Sequence, residues 1–274
     1  MAEETFGVRV RFEGRDADDN HLDAYDGSLS LHGFAQALQI ATHAYANRDI
    51  TNVATAMKGA KVFMKPARQG SFITDFTTVI TRKKKGITLN ASTFYDFVGY
   101  AFSQAVGKTA EQPNTPYVKS LTGPEDVFFD ELAEELEGSL GRAHRVIAEE
   151  GATTISVERP RGGGLVVFDH QTNMWVNTRD PSDQIETLTG NVTRFNTVSP
   201  NGRAYIDEFQ RIIPFRRVAA FPVDQRLLLS WSLHESNLAS KKKLTFDART
   251  VKTASGTVKQ LLISDCARIV GNAP

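Results

Sequence analysis

Apolar residues recur along this chain with two periods, and each period marks a different kind of element. In VRVRF (8–12) the alternation is every second residue, which predicts a strand with one polar face. In LHGFAQALQIATHAYAN, residues Leu31, Phe34, Ala35, Leu38, Ala41 and Tyr45 recur at three-and-four spacing. That spacing predicts an amphipathic helix with His32 and His43 off its main stripe. Asp26, Gly27, Ser28 and Ser30 supply the turn and cap chemistry expected ahead of it. Segments 61–64 and 71–76, separated by residues 66–70, predict an antiparallel pair, which the basic run 82–85 closes. A second helix is expected over 92–106, where Phe94, Phe97, Val98, Ala101, Phe102 and Ala105 share a face. From Glu125, EDVFFDELAEELEGSLGRAHRVIAEEG predicts a third, with acids early and Arg142, His144 and Arg145 late, the order a helix dipole favours. Gly138 and Gly141 are where it is expected to bend or break. Segments 153–158 and 165–168 predict strands joined at Gly162, Gly163 and Gly164, and the polar NTRDPSD after Trp175 predicts a linker.

The last part of the chain has the clearest order. Strands are expected at 187–195, 203–207 and 211–215, then a helix from Val223, then strands at 244–251 and 257–264 joined at the turn 253–256. Three strands, a helix and two strands is the order of an oligonucleotide/oligosaccharide-binding (OB) barrel, and this segment resembles one over about ninety residues. Within it, Ser199-Pro200-Asn201-Gly202 turns between two alternating stretches. If Leu188, Val192, Ala204 and Ile206 point inward, then Thr193, Phe195, Arg203 and Tyr205 point outward by the two-residue period. An aromatic and basic outer face can stack bases and follow phosphates, with Arg249 and Lys259 extending the track. The competing reading packs Phe195 and Tyr205 against the N-terminal part or a second subunit.

Length and composition agree with two folded parts. At 274 residues, 41% hydrophobic and 23% charged, the chain can bury a full core. We expect an α+β fold, with a mixed α/β N-terminal domain over 1–180 and a small OB-like β-barrel over 186–270. No apolar run reaches the ~20 residues that span a bilayer, and MAEETFGVRV lacks a basic region followed by an apolar core, so no membrane role and a cytoplasmic location are expected. The lone Cys266 reads as a small buried hydrophobe and excludes a disulfide framework within one chain. Net charge is zero, but residues 1–185 hold 19 Lys+Arg against 25 Asp+Glu, whereas 186–274 hold 13 against 7. A basic C-terminal third fits an anionic partner, or acidic and basic faces attracting one another within or between chains.

No catalytic motif survives inspection. Gly107-Lys108-Thr109 has the ending of a phosphate-binding loop, but Phe102 stands where its first glycine belongs and the tripeptide closes a helical pattern. The triple glycine precedes a strand where a dinucleotide fingerprint needs a helix. His144, Asp169 and His170 are the one histidine and carboxylate group that invites a metal or hydrolase reading, and they share no short ligand spacing. The acids of 125–137 and the lysines of 83–85 and 241–243 read as solvated faces and turns. No catalytic residue, metal ligand or cofactor is assigned.

The stretch AYDGSLSLHGFAQALQIATHAYAN followed by KPARQGSFITDF resembles the start of a family of uncharacterised bacterial proteins, some found near mobile or phage-defence genes, with a weaker likeness into the barrel. The resemblance implies a prokaryotic cytoplasmic protein working in a multi-subunit defence system. The expectation is a non-catalytic interaction subunit with a protein partner or a second copy. The alternative is a single-stranded nucleic-acid-binding protein using Phe195, Arg203, Tyr205, Arg249 and Lys259.

Overall fold

Alternation places Phe6, Val8, Val10 and Phe12 on one buried face of β1 (Glu4–Glu13) and Arg9 and Arg11 on the other. The computed structural model describes residues 3–51, 59–65, 72–87, 89–108, 112–122, 128–177, 180–195, 200–238, 242–252 and 258–269. After β1 come a 3-10 turn, Arg15–Asp19, and α1 (Ala24–Asn47), β2 (Ala60–Met64), β3 (Phe72–Ile80), α2 (Ala91–Ala105) and α3 (Pro116–Lys119). Then follow α4 (Phe128–Ala143), α5 (Arg145–Ala148), β4 (Thr154–Glu158), β5 (Gly164–Phe168) and α6 (His170–Asn177). The strands form one antiparallel sheet, ordered β2-β3-β1-β4-β5. β1 is central, with Val8 opposite Phe76 and Val10 opposite Val157. On its other face Arg9 forks onto its register partner Asp75, with Nε 2.8 Å from Oδ1 and Nη2 3.2 Å from Oδ2.

The first helix starts earlier than its hydrophobic stripe suggests. Asp23 caps α1, its side chain accepting from the backbone N–H of Tyr25 at 2.9 Å and of Asp26 at 3.0 Å. Asp26, Gly27, Ser28 and Ser30 are therefore helical, and Gly27 and Ser30 are buried. Both sides of α1 are covered. Phe34 meets Phe76 of β3 and Phe102 of α2, while a Cβ at Gly33 would lie 2.5 Å from the backbone nitrogen of Ala143 in α4. That approach, backbone against backbone, admits only glycine. His43, off the main stripe, is buried as well. α4 runs through Gly138 and Gly141 and breaks instead at His144. Residues 66–71 and 123–127, which hold the expected turn and the start of the acidic stretch, lie outside the described residues.

The remaining elements are β6 (Asp180–Pro181), β7 (Glu186–Phe195), β8 (Asn201–Ile206), β9 (Arg211–Arg217), α7 (Arg226–Asn237), β10 (Leu244–Lys252) and β11 (Val258–Arg268). β7, β8, β9, β11 and β10 pair in that order, and β10 pairs with β7 again, which closes a five-stranded barrel. Only β9 and β11 run parallel; β6 adds to β10 where a linker was expected. Inward residues fill the barrel, among them Val192, Ala204, Ile206, Phe215, Phe246 and Ile263. The chain is thus α+β, an antiparallel sheet with helices followed by a closed mixed barrel. It divides into two compact units, Met1–Asn177 and Thr178–Pro274, with separate hydrophobic cores. No helix among the described residues is long and apolar enough to cross a membrane.

Candidate functional site

Two groups of side chains carry the chemistry singled out by the sequence. In the first, His144 is fully buried at the break between α4 and α5, its ring 4.7 Å from that of Phe168. Nδ1 lies 2.7 Å from the carbonyl oxygen of Leu140, which can only accept, so Nδ1 carries the proton. Nε2 lies 2.8 Å from the hydroxyl of Thr172, which in turn lies 2.9 Å from the carbonyl oxygen of Asp169. Burial pushes His144 down to about 4, so the ring is neutral at physiological pH. Asp169 caps α6 by accepting from the Thr172 N–H at 2.9 Å, and its other oxygen meets Nζ of Lys108 at 2.9 Å. Burial pushes the Asp169 carboxyl up, but the Thr172 hydrogen bond and the Lys108 ammonium together outweigh it and hold it below the usual range. His144 and Asp169 therefore meet through Thr172, while His170 is exposed beside them. Each ring nitrogen of His144 is already engaged by the protein, so this group locks α4, α6 and the end of α2 together. Cys266 is likewise buried, its thiol pushed up to about 12 by burial. Among the described residues no three His, Cys, Asp or Glu side chains are grouped to hold a metal ion.

The second group lies on the barrel. Leu188, Val192, Ala204 and Ile206 are buried, as the alternation requires, and Tyr205 between them is 39% exposed. The phase does not hold to the end of β7. Val192 pairs with Ala204, but Arg194 pairs with Arg203 and Phe195 with Gly202, so Thr193 is an extra residue in a β-bulge. Beyond it the faces exchange. Phe195 packs against the barrel core with Arg217 over its ring at 5.1 Å, and is not on the outer face where strict alternation puts it. Arg194 takes that outer position, opposite Arg203. The turn residues 196–199 lie outside the described residues.

Register extends the outer face around the barrel. Arg216 of β9 pairs with Asn201 on one side and Leu262 of β11 on the other, and Leu262 pairs in turn with Arg249 of β10. Arg216 and Arg249 are exposed, flanking a half-buried leucine. Tyr205 stands next to Ile212, and Arg203 next to Pro214. The structure therefore brings Arg203 and Tyr205 together on the outer face of β8, beside β9, but places Arg249 on β10, which is not adjacent to β8. Lys259 falls at a second irregularity, toward the start of β11, and is half-buried. Arg194 and Arg216 join the group without having been read from the sequence. Arg216 was legible, since it alternates with the buried Phe215 and Arg217; Arg194 was not, because only the bulge turns it outward.

Acids hold the opposite end of the same face. Asp207 meets Lys243 at 2.5 Å, Asp247 accepts from the hydroxyl of Thr187 at 2.7 Å, and Glu208 accepts from the N–H of Thr189 at 2.8 Å. The outer surface is thus basic toward the β7–β8 turn and acidic toward the β8–β9 turn. Inside the same basic end, burial and the charge of Arg226 lower the pKa of Arg217.

No curated protein and no solved structure matches the chain. A family model does, over residues 8–177, and that match ends before the barrel, so the face just described lies beyond it. The chain belongs to the family described as Domain of unknown function (DUF7946), whose matched segment runs from β1 through α6.

Proposed function

We propose that this protein binds a single-stranded nucleic acid on the outer face of β8 and β9, without turnover. The observation that carries the reading is the placement of Arg203 and Arg216 toward the β7–β8 turn end of that face, with Arg194 of β7 paired beside Arg203. Arg194 and Arg203 are register partners, and guanidiniums are suited to phosphate by their planar, bidentate hydrogen-bonding geometry. Tyr205 supplies an exposed ring for base stacking beside them. In strand order and helix position the barrel resembles the OB fold, whose second and third strands form the binding face; here those are β8 and β9. The reading as an assembly subunit draws on a different surface, on α7.

The test is fluorescence anisotropy with a labelled oligothymidine at two salt concentrations. Stacking is worth about 1 to 3 kcal/mol per base, so Tyr205→Ala is expected to weaken binding roughly fivefold to more than a hundredfold. Arg216→Ala is expected to reduce the salt slope by about 0.7, the value for one lost phosphate contact on a single strand. Phe195→Ala is the contrasting variant. Its ring belongs to the barrel core, so it lowers the melting temperature more than Tyr205→Ala does. A wild-type chain that leaves the oligonucleotide free at low salt, or a folded Tyr205→Ala that binds like wild type, overturns the proposal.

A further inference from the structure

Helix α7 buries one side and exposes the other. Leu229 and Ser232 are fully buried, and Trp231 is half-buried against the barrel. On the outer side Leu227 is 74% exposed and Val223, in the turn leading into the helix, 71%. That turn continues the helical path, since the N–H of Arg226 donates to the carbonyl of Val223 and that of Leu227 to the carbonyl of Asp224, each at 3.2 Å. It is also fixed to the barrel, because Oε1 of Gln225 accepts from the N–H of Cys266 at 3.0 Å. Val223 and Leu227 are therefore two exposed apolar residues on an anchored segment, and Trp231, one helical turn beyond Leu227, is half-buried beside them with Arg268 over its ring. Single exposed apolar residues are ordinary; an aligned ridge of this kind is a packing surface.

The charges beside the ridge identify its occupant. Asp224 is exposed next to Val223 at one end, and at the other end Arg268, also exposed, lies over the Trp231 ring at 4.2 Å. Asp224 therefore stands near one end of this surface and Arg268 at the other, with the exposed Arg226 following Asp224 along the chain. A two-fold axis through Leu227 sets Leu227 against itself, Val223 against Trp231 of the second copy, and Asp224 beside the second copy's Arg268. The surface is complementary to itself, which is the requirement for an isologous dimer. The geometry points to a second copy of this chain as the partner of α7, with the two helices antiparallel and their four-residue ridges interlocked. This inference is independent of nucleic-acid binding, which uses other residues on other strands. One helical ridge is smaller than the roughly 800 Å² per partner of a stable interface, so the dimer is weak and depends on concentration.

Sedimentation velocity on the full chain, over a concentration series from about 5 to about 500 µM, tests this. Wild type is expected to shift from monomer toward dimer, and Leu227→Glu, which sets two carboxylates on the axis, to weaken the dimer at least tenfold. Asp224→Arg and Arg268→Asp each meet a like charge and are expected to weaken it roughly threefold to tenfold, while the double exchange restores it. Restoration distinguishes a matched pair from a general loss of apolar surface. Leu227→Cys gives a second measurement. It is expected to cross-link to itself under mild oxidation, whereas Cys266, being buried, does not compete. A chain that stays monomeric throughout the series, a dimer untouched by Leu227→Glu, or a charge exchange that fails to restore association each overturns the assignment.

Discussion

His144 is held at each ring nitrogen, by the carbonyl of Leu140 and the hydroxyl of Thr172, and its ring packs at a tilt against Phe168. Burial of the ring disfavours a second, charge-bearing proton. The histidine therefore titrates near 6.5 in the unfolded chain and at about 4 in the folded one. Because the folded pKa is the lower, the contribution is fully present above pH 6.5 and is lost as pH falls from 6.5 toward 4. The difference amounts to roughly 3 kcal/mol at full protonation of both states. Denaturant unfolding at several pH values is expected to show this loss in wild type, and His144→Asn, which does not titrate, is expected to flatten the profile between pH 6.5 and 4. Identical profiles in the two proteins rule out His144 as the titrating group. Asp169, held below the usual carboxylate range, adds its own loss further into acid, so the comparison is made above pH 4.

At the scale of elements, the bulge in β7 decides which side chains reach the candidate site, and its support comes from α7. The buried N–H of Val192, next to the extra residue, donates to Oγ of Ser232 at 2.9 Å, and Ser232 is fully buried. Ser232→Ala leaves that donor unpaired, which is expected to cost about 1 to 3 kcal/mol in thermal or denaturant unfolding. Ser232→Cys, with a weaker acceptor of similar size, is expected to fall between the two; a neutral Ser232→Ala excludes this role for the hydroxyl. The same contact shows why the bulge was not legible. Alternation over 187–195 fixes the strand and its inward residues, but the partner that permits an extra residue lies in a helix beyond β8 and β9. Local periodicity read VRVRF, the helical spacing of 92–106 and the strand–helix order of the barrel correctly, because burial on one face is enough to impose them. Where a second layer intervenes it misleads. α1 is covered by α4 as well as by the sheet, its Asp23 cap carries it back to Ala24, His43 is buried off its main stripe, and α4 breaks at a buried histidine instead of at either glycine. The short α6 escapes the pattern for a related reason, since Asp169 before it has the look of a strand end.

At the scale of the whole molecule, two separate cores coincide with two opposite charges. Residues 178–274 hold 14 Lys+Arg against 9 Asp+Glu, and residues 1–177 hold 18 against 23, so the units carry +5 and −5. The first unit is the part that the family model matches, and the second carries the arginine face. A unit with its own buried core and complete strand ring has what it needs to fold alone. The fragment of residues 178–274 is therefore expected to unfold cooperatively in a thermal melt, followed by circular dichroism. Removing the acidic unit also removes a repulsive field from any polyanion at the barrel. At low salt the fragment is expected to bind labelled oligothymidine at least as tightly as the full chain does. The advantage should shrink near 0.1 M salt and above, where screening acts within about 10 Å. Weaker binding by a cooperatively folded fragment means the opposite, that the first unit contributes to the grip in spite of its charge. In that case the arginine face of the barrel is only one part of a larger site.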